Sequence, residues 1–275
     1  MPLGIGDRLL ALRREPPRAV AIALGVGGVA FVVLAWWVLT LGGVPEDRWI
    51  SPTVLPSPGE VLRSAGSLFT ERDLVQSIFA TLRRVVLGFA LALAIGVPVG
   101  IVAGSWRALY AVLAPLALFG RNIPIAALIP LTILWFGIGE AQKTAFIFTA
   151  CVPFVFSDAA TAVASVPDRY VETAQTLGAS SLQIVYKVLV PLALPSVYES
   201  ARHMFGLAFG YIMLAELINA QHGLGWLLST SQRRGLNEHI LLILVVIGLL
   251  AYGIDRLLLW SEHRLFPYRQ GEAEP

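Results

Sequence analysis

Among the 275 residues, the side chains whose spacing could do work are concentrated in one polar interval, 165–191, which reads SVPDRYVETAQTLGASSLQIVYKVLVP. Ser165 and Asp168 stand three apart as a capping pair, with Pro167 in the first turn. Val171, Ala174 and Leu177 then share one helical face. Gly178 suits the left-handed residue that ends a helix, and Ser180 with Gln183 (S-x-x-Q) starts another. The interval therefore predicts two short helices hinged at Gly178, a compact knob. The chemistry such a knob offers is contact, not reaction. An amphipathic helix lying at a membrane interface is the plainer alternative. It accounts for the apolar face but not for two capped helices at this spacing.

A second group consists of charged and polar side chains inside apolar stretches. A charge there costs about 2.5–3.5 kcal/mol on insertion scales, so each is a functional candidate. Arg121 precedes Asn122 and the Pro124 break, where a loosened helix would expose donors to a cavity. A guanidinium suits the oxygens of nitrate, sulfonate or carboxylate by bidentate bonding. It equally suits a neighbouring helix's carbonyl, or Glu216. Glu216 and Asn219 have two readings, lining an external mouth or hydrogen-bonding between helices, and the second is favoured. Glu199, Arg202 and His203 stand at i, i+3 and i+4, a spacing for local ion pairing. Asp158 and Asp255 sit near span ends and are assigned interfacial solvation only.

Other chemistries lack their residues. No G-x-x-x-x-G-K-[ST] run occurs and the only lysines are Lys143 and Lys187, so the chain has no P-loop for ATP. There is no H-E-x-x-H and no cluster of His, Cys and carboxylates at metal spacing. His203, His222, His239 and His263 supply no catalytic constellation by spacing. No metal or cofactor is expected in this chain. Cys151, the one cysteine, lies in an apolar run and reads as a small core residue.

These residues are carried by elements made for lipid. The chain is 56% hydrophobic and 14% charged, with mean hydropathy +0.73, against about 25% charged in soluble domains. A net charge of +2 is too small to suggest nucleic acid. Six apolar segments, near 19–41, 77–104, 109–137, 143–164, 191–220 and 238–260, each reach the ~20 residues that cross a bilayer. The first is too long for a cleavable signal, despite Arg8, Arg13, Arg14 and Arg18 before it. The third and fifth contain prolines and are expected to be kinked or partly interfacial. The expectation is one all-α polytopic membrane domain over 1–275. It has an arm at 1–18, a polar, proline-rich external loop at 42–76 and the cytoplasmic loop at 165–191. Arg107, Arg169, Lys187, Arg264 and Arg269 join the arm's arginines in favouring cytoplasmic termini; Arg83, Arg84, Arg233 and Arg234 count against it. Gly96, Gly100 and Gly104 form a stripe for close helix packing, and Gly206 and Gly210 repeat it in the fifth span.

Glu172-Thr173-Ala174, three residues, Gly178, nine residues, then Val188-Leu189-Val190-Pro191 resembles the EAA motif of ABC importer permeases, with Thr173, Val188 and Val190 as conservative departures. LPSP at 55–58, TLRRVVLGF at 81–89, IPIAALIPLTILWFGIGEAQK at 123–143 and AELINAQHGLGWLL at 215–228 are similar to the nitrate/sulfonate/taurine/bicarbonate branch. Two residues depart from it: Tyr211, where Trp is frequent, and Glu199, where an apolar residue is usual. The resemblance implies a six-helix type I importer permease in a bacterial inner membrane. It implies that Glu172, Thr173, Ala174, Gly178 and Pro191 belong to a coupling loop seated in an ATP-binding subunit. It further implies two copies of this chain, two ATPase subunits that use ATP and Mg, and an external solute-binding protein. Arg121, Asn122, Tyr211, Glu216 and Asn219 become the candidate substrate path. An ion-coupled secondary carrier would need intramembrane ionisable pairs and internal repeats, and no repeat is found.

Overall fold

A computed structural model describes residues 16–42, 47–218 and 220–268. Arg8, Arg13, Arg14, Asn219 and Arg269 lie outside them. The described residues are helical throughout, without strands. Helix α1 (Arg18–Leu39) is apolar on all sides and has no buried residue. The loop expected at 42–76 contains a helix, α2 (Pro58–Thr70). Its start is specified by Ser57, whose hydroxyl accepts from the Glu60 amide while the Glu60 carboxylate accepts from the Ser57 amide, with Pro58 in the first turn. Arg48 grips the same carboxylate through both terminal nitrogens, at 2.9 and 3.1 Å. This bond and the Ser57 amide pull the Glu60 carboxyl down to about 2.

The body follows. Helix α3 (Leu74–Ser105) runs into α4 (Arg107–Asn122), a short turn at Ile125–Ala127 and α5 (Leu128–Phe136). The kink expected in the third segment is a full break: the chain turns by 91° between α4 and the Ile125–Phe136 piece. The cause is Pro124, which lacks an amide proton and holds Ile123 in extended conformation. Helix α6 (Glu140–Ala164) leads to α7 (Asp168–Thr176), α8 (Ser181–Ile184), a π turn (Val185–Leu189) and α9 (Val190–Glu216). Helices α10 (Leu224–Arg233) and α11 (Asn237–Leu265) complete it. Among the described residues, five units are long and apolar enough to cross a membrane (α1, α3, α6, Ser181–Glu216 and α11), and the bent α4/α5 pair is a sixth if counted as one span.

The core is the seam between α3 and α6, the most extensive helix pairing in the chain. The glycine stripe makes it possible. A Cβ on Gly100 would lie 2.6 Å from the Phe156 carbonyl oxygen, one on Gly104 2.6 Å from that of Ala160, and one on Gly96 2.8 Å from the Val155 side chain. Gly88 extends the row, 2.7 Å from the Thr144 carbonyl oxygen. The packing role expected for these glycines holds. Gly206 and Gly210 have nothing within 4 Å, so within this chain the repeat packs nothing. Around the seam, Phe89, Phe146, Ile147, Phe209 and Ile212 fill the interior.

Replacing Gly100 by Leu is expected to lower the isolated subunit's stability by about 1–3 kcal/mol, the usual cost of overpacking. Gly210→Leu is expected to stay within about 0.5 kcal/mol, as at open surface sites. Thermal unfolding of the detergent-solubilised protein measures both.

Candidate functional site: an exposed loop helix and a buried charge hub

The loop after α6 is built largely as its spacing predicts. Helix α7 closes with Gly178 at φ +79°, the Ala179 amide donating to the Ala174 carbonyl (3.0 Å) and the Gly178 amide to that of Gln175 (2.9 Å). This pair of bonds satisfies the last carbonyls of the helix, and the left-handed residue it requires favours glycine. Ser180 and Gln183 form a reciprocal capping box. Ser165, in contrast, caps nothing: its hydroxyl donates to the Thr161 carbonyl, finishing α6 instead, and Pro167 is the residue that precedes α7. Glu172, Thr173, Gly178 and Pro191 are exposed, whereas Ala174 is half-buried. Leu177 departs from its expected face and is 82% exposed. The Thr173 hydroxyl turns back to the Arg169 carbonyl at 2.6 Å, which leaves its methyl outward.

The second half of the knob differs from expectation. It is no free short helix, because α8 passes through the π turn straight into α9, and Ser181–Glu216 is one apolar unit of 36 residues. The Val190 amide donates to the Val185 carbonyl, five residues back. Pro191 follows at once, has no amide to donate, and would crowd the carbonyl four residues earlier in a regular helix. A wide turn ahead of it relieves both problems. The Pro191 carbonyl accepts from the Tyr268 hydroxyl at 3.1 Å, tying this joint to the chain beyond α11.

At the other end of α6, about 37 Å away by helical rise, sits a cluster that the sequence reading did not assemble. Arg84 of α3, its side chain 3% exposed, is bonded through every nitrogen. Its Nε donates to Glu140 at 2.7 Å and its Nη2 bonds the same carboxylate, a bidentate grip on the first residue of α6. Its Nη1 donates to Glu216 of α9 and to the His222 carbonyl, each at 2.7 Å. Glu216, wholly buried, also accepts from the Thr81 hydroxyl (2.8 Å) and from the Gly225 amide (2.9 Å). Thr81 in turn accepts from the Leu224 amide at 2.9 Å. Glu216 and Thr81 thus cap α10, with the carboxylate at its positive end. Gly223, at φ +139°, has no room for a side chain: its Cβ would lie 2.5 Å from the Glu216 carboxylate. Lys143, also buried, donates to the Gly139 carbonyl at 3.3 Å.

The other candidates fall elsewhere. Arg121 bonds neither Glu216 nor a helix carbonyl; its guanidinium lies exposed, 5.0 Å above the Phe154 ring. It borders a groove of about 400 Å³ shared with Tyr110, Phe156, Ser157 and Thr161. Asn122 donates to the Leu118 carbonyl, and Tyr211 packs half-buried against the core. Glu216 faces no groove: it belongs to the hub, the interhelical role that its sequence position favoured. Arg202 pairs across to α11, its Nε 3.8 Å from Asp255 and 3.7 Å from Glu262. These partners across the helix pair add to the local spacing with Glu199 and His203, and give Asp255 a partner. Arg84 and Glu140 were missed, yet a signal existed. The three segments that meet here, around Thr81–Arg84, Glu140 and Glu216–Gly225, are three of those that carried the family resemblance.

A helical bundle of five or six candidate spans, tied by buried charge at one end and presenting a short exposed helix at the other, defines a polytopic membrane protein. Residues 96–266 match the family described as binding-protein-dependent transport system inner membrane component, and the chain belongs to it. It is 36% identical over 253 residues to a probable ABC transporter permease protein of Brucella abortus, covering 91% of this chain and 94% of that one. With the taurine transport system permease protein TauC of Escherichia coli it shares 32% over 263 residues, 94% of each chain. With the nitrate import permease protein NrtB of Synechocystis it shares 26% over 251 residues, 88% of each. A solved structure of the MetNI methionine ABC transporter in an inward-facing conformation superposes with a TM-score of 0.62. The match is at 25% identity and spans 71% of this chain and 95% of that one. The chain is therefore an inner-membrane permease subunit of a binding-protein-dependent ABC importer, which decides against the secondary carrier.

The hub makes a stability prediction. Arg84→Ala leaves the Glu216 carboxylate buried without its partner and is expected to cost about 3–5 kcal/mol. Glu140→Gln, at a half-exposed position, is expected to cost about 1 kcal/mol. Arg84→Met with Glu216→Leu is expected to recover most of the first loss, because it removes both charges together. Denaturant or thermal unfolding of these proteins, with Arg84→Met and Glu216→Leu alone, reads the non-additivity.

Proposed function

We propose that the 165–191 loop seats in an ATPase subunit, with Glu172, Thr173, Ala174, Gly178 and Pro191 as its working residues. The observation that carries this reading is mechanical. An exposed helix closed by a left-handed glycine runs through a capped restart and a π turn into a span whose last residue, Glu216, lies in the buried hub. A push on α7 has a continuous helical route into the bundle. The Glu172 carboxylate is free to meet basic side chains or amide donors, and the small residues beside it permit close approach.

On this reading the whole chain is one non-catalytic permease domain, with cytoplasmic termini and the 42–76 segment outside. Two copies pair about the path, two ATPase subunits bind and hydrolyse ATP with Mg, and a solute-binding protein delivers the solute. ATP-driven closure of the ATPases moves the α7 knobs together and reorients the spans. The cargo is a small anion of the nitrate, sulfonate, taurine or bicarbonate type. What supports this is Arg121, a cation held over an aromatic ring beside a groove whose wall includes Ser157 and Thr161, where lipid alone is a costly neighbour. Asn122 and Tyr211 belong to the proposed path with it, as does Asn219. Glu216 contributes by holding the end of α9 in place.

Two outcomes follow. Gly178→Val forces a β-branched residue into left-handed geometry, at a local cost of about 1–3 kcal/mol. The protein is expected to insert in the membrane but to lose co-purification with the ATPase and ATP-coupled uptake. Unimpaired coupled uptake after deletion of residues 170–180 contradicts the coupling role. Arg121→Ala is expected to slow uptake in proteoliposomes on the order of tenfold or more, the worth of a charged hydrogen bond, with Arg121→Lys intermediate. An unchanged rate and substrate preference would remove the anion role.

A further inference from the structure

Helix α2 carries more apolar surface than the protein covers. At about 100° per residue, Val61, Ser64, Ala65 and Leu68 form one side, and Val61, Ser64 and Leu68 are buried against α11. Leu62 and Phe69 continue the same arc around the helix, with Gly66 beside them, yet they are 71% and 56% exposed. Arg63 and Thr70 stand on the polar side, and Glu60 is turned to Arg48. The apolar arc is thus wide and contiguous, and α11 covers only one half of it.

The depth of the helix is set by its attachments. The Trp36 indole, in the last turn of α1, donates to the Pro56 carbonyl at 2.9 Å, just before α2 begins. The Ser67 hydroxyl meets the His239 ring at 2.9 Å, in the first turn of α11, and Asn237 bonds the Thr53 carbonyl. Helix α2 therefore lies across the ends of two spans, at the level where hydrocarbon gives way to headgroups. The spans it is tied to are themselves apolar outside, with Val33 and Val38 of α1 and Leu244 and Val245 of α11 about half exposed. Exposed Trp37 and Trp49, at 51% and 88%, are of the type that settles in this zone.

We propose that α2 is an interfacial helix whose Leu62–Phe69 edge inserts into the bilayer leaflet at the hub end of the molecule. Apolar residues enter the acyl boundary while Arg63 reaches the headgroups, the division expected of a helix lying in the membrane plane. The consequence is anchorage for α1. That span buries no residue of its own, and its described polar tie to the body is the Trp36 bond to the segment leading into α2. A helix held by lipid on one edge and by α11 on the other fixes α1 beside the bundle. This goes beyond the coupling reading and does not depend on it.

The test places single cysteines at 62, 63 and 69 of the full chain, since the native Cys151 is fully buried and the unmutated protein serves as the blank. Each is labelled with an environment-sensitive nitrobenzoxadiazole and reconstituted in nanodiscs of phosphatidylethanolamine and phosphatidylglycerol. Brominated acyl chains are expected to quench the labels at Leu62→Cys and Phe69→Cys to less than half their emission and to spare Arg63→Cys. Aqueous iodide is expected to do the reverse. Iodide reaching all three positions equally overturns the proposal. So does protection of positions 62 and 69 that appears only when the solute-binding protein is added, which would assign the edge to that protein instead.

Discussion

A guanidinium inside an apolar bundle needs partners for its donors, and Arg84 bonds through all three nitrogens, to two carboxylates and a carbonyl. Each partner comes from a different element: Glu140 opens α6, Glu216 closes α9, and His222 lies in the link to α10. Removing Arg84 or Glu216 would strand the other's charge in a low-dielectric interior, so the arrangement specifies how four elements converge at one end. The glycine seam between α3 and α6 depends on the same alignment. Its carbonyls approach the Gly100 and Gly104 positions within 2.6 Å of where a Cβ would be, a fit that tolerates little sliding of one helix along the other.

With one end fixed and the seam close-packed, α3, α6 and the outer part of α9 behave as a block. The other end is more open. Helix α7 buries no residue, and the joint at 185–189 is a turn of unusual geometry. The permease therefore has a close-packed part and a loosely packed part in one chain. The family assignment says that the chain serves an importer, and the contrast between the two ends gives that service a physical form.

How much of this could be read from the residues varied with distance along the chain. The loop was legible because its signals are local: Ser180 sees Gln183 three residues away, and Gly178 ends the helix it adjoins. The glycine stripe was legible for the same reason, through its four-residue period. Helix α2 was missed although Ser57, Pro58 and Glu60 announce it, because the prolines around it dominated the reading of 42–76. The hub was not legible in that way. Arg84 and Glu216 are 132 positions apart, and a single sequence carries no term that pairs them. Arg202 was legible only in part for a related reason: Glu199 stands three residues before it in the sequence, whereas Asp255 and Glu262 reach it from α11.

The π turn at 185–189 holds one residue more than an α-helical turn would. A surplus of this kind is torsional slack. If it is absorbed into regular helix, everything before it rotates about the axis of α9 by about 100° and advances by about 1.5 Å. A rod welded straight to the span would pass on only thrust and tilt. One joined through this turn has room to twist as well.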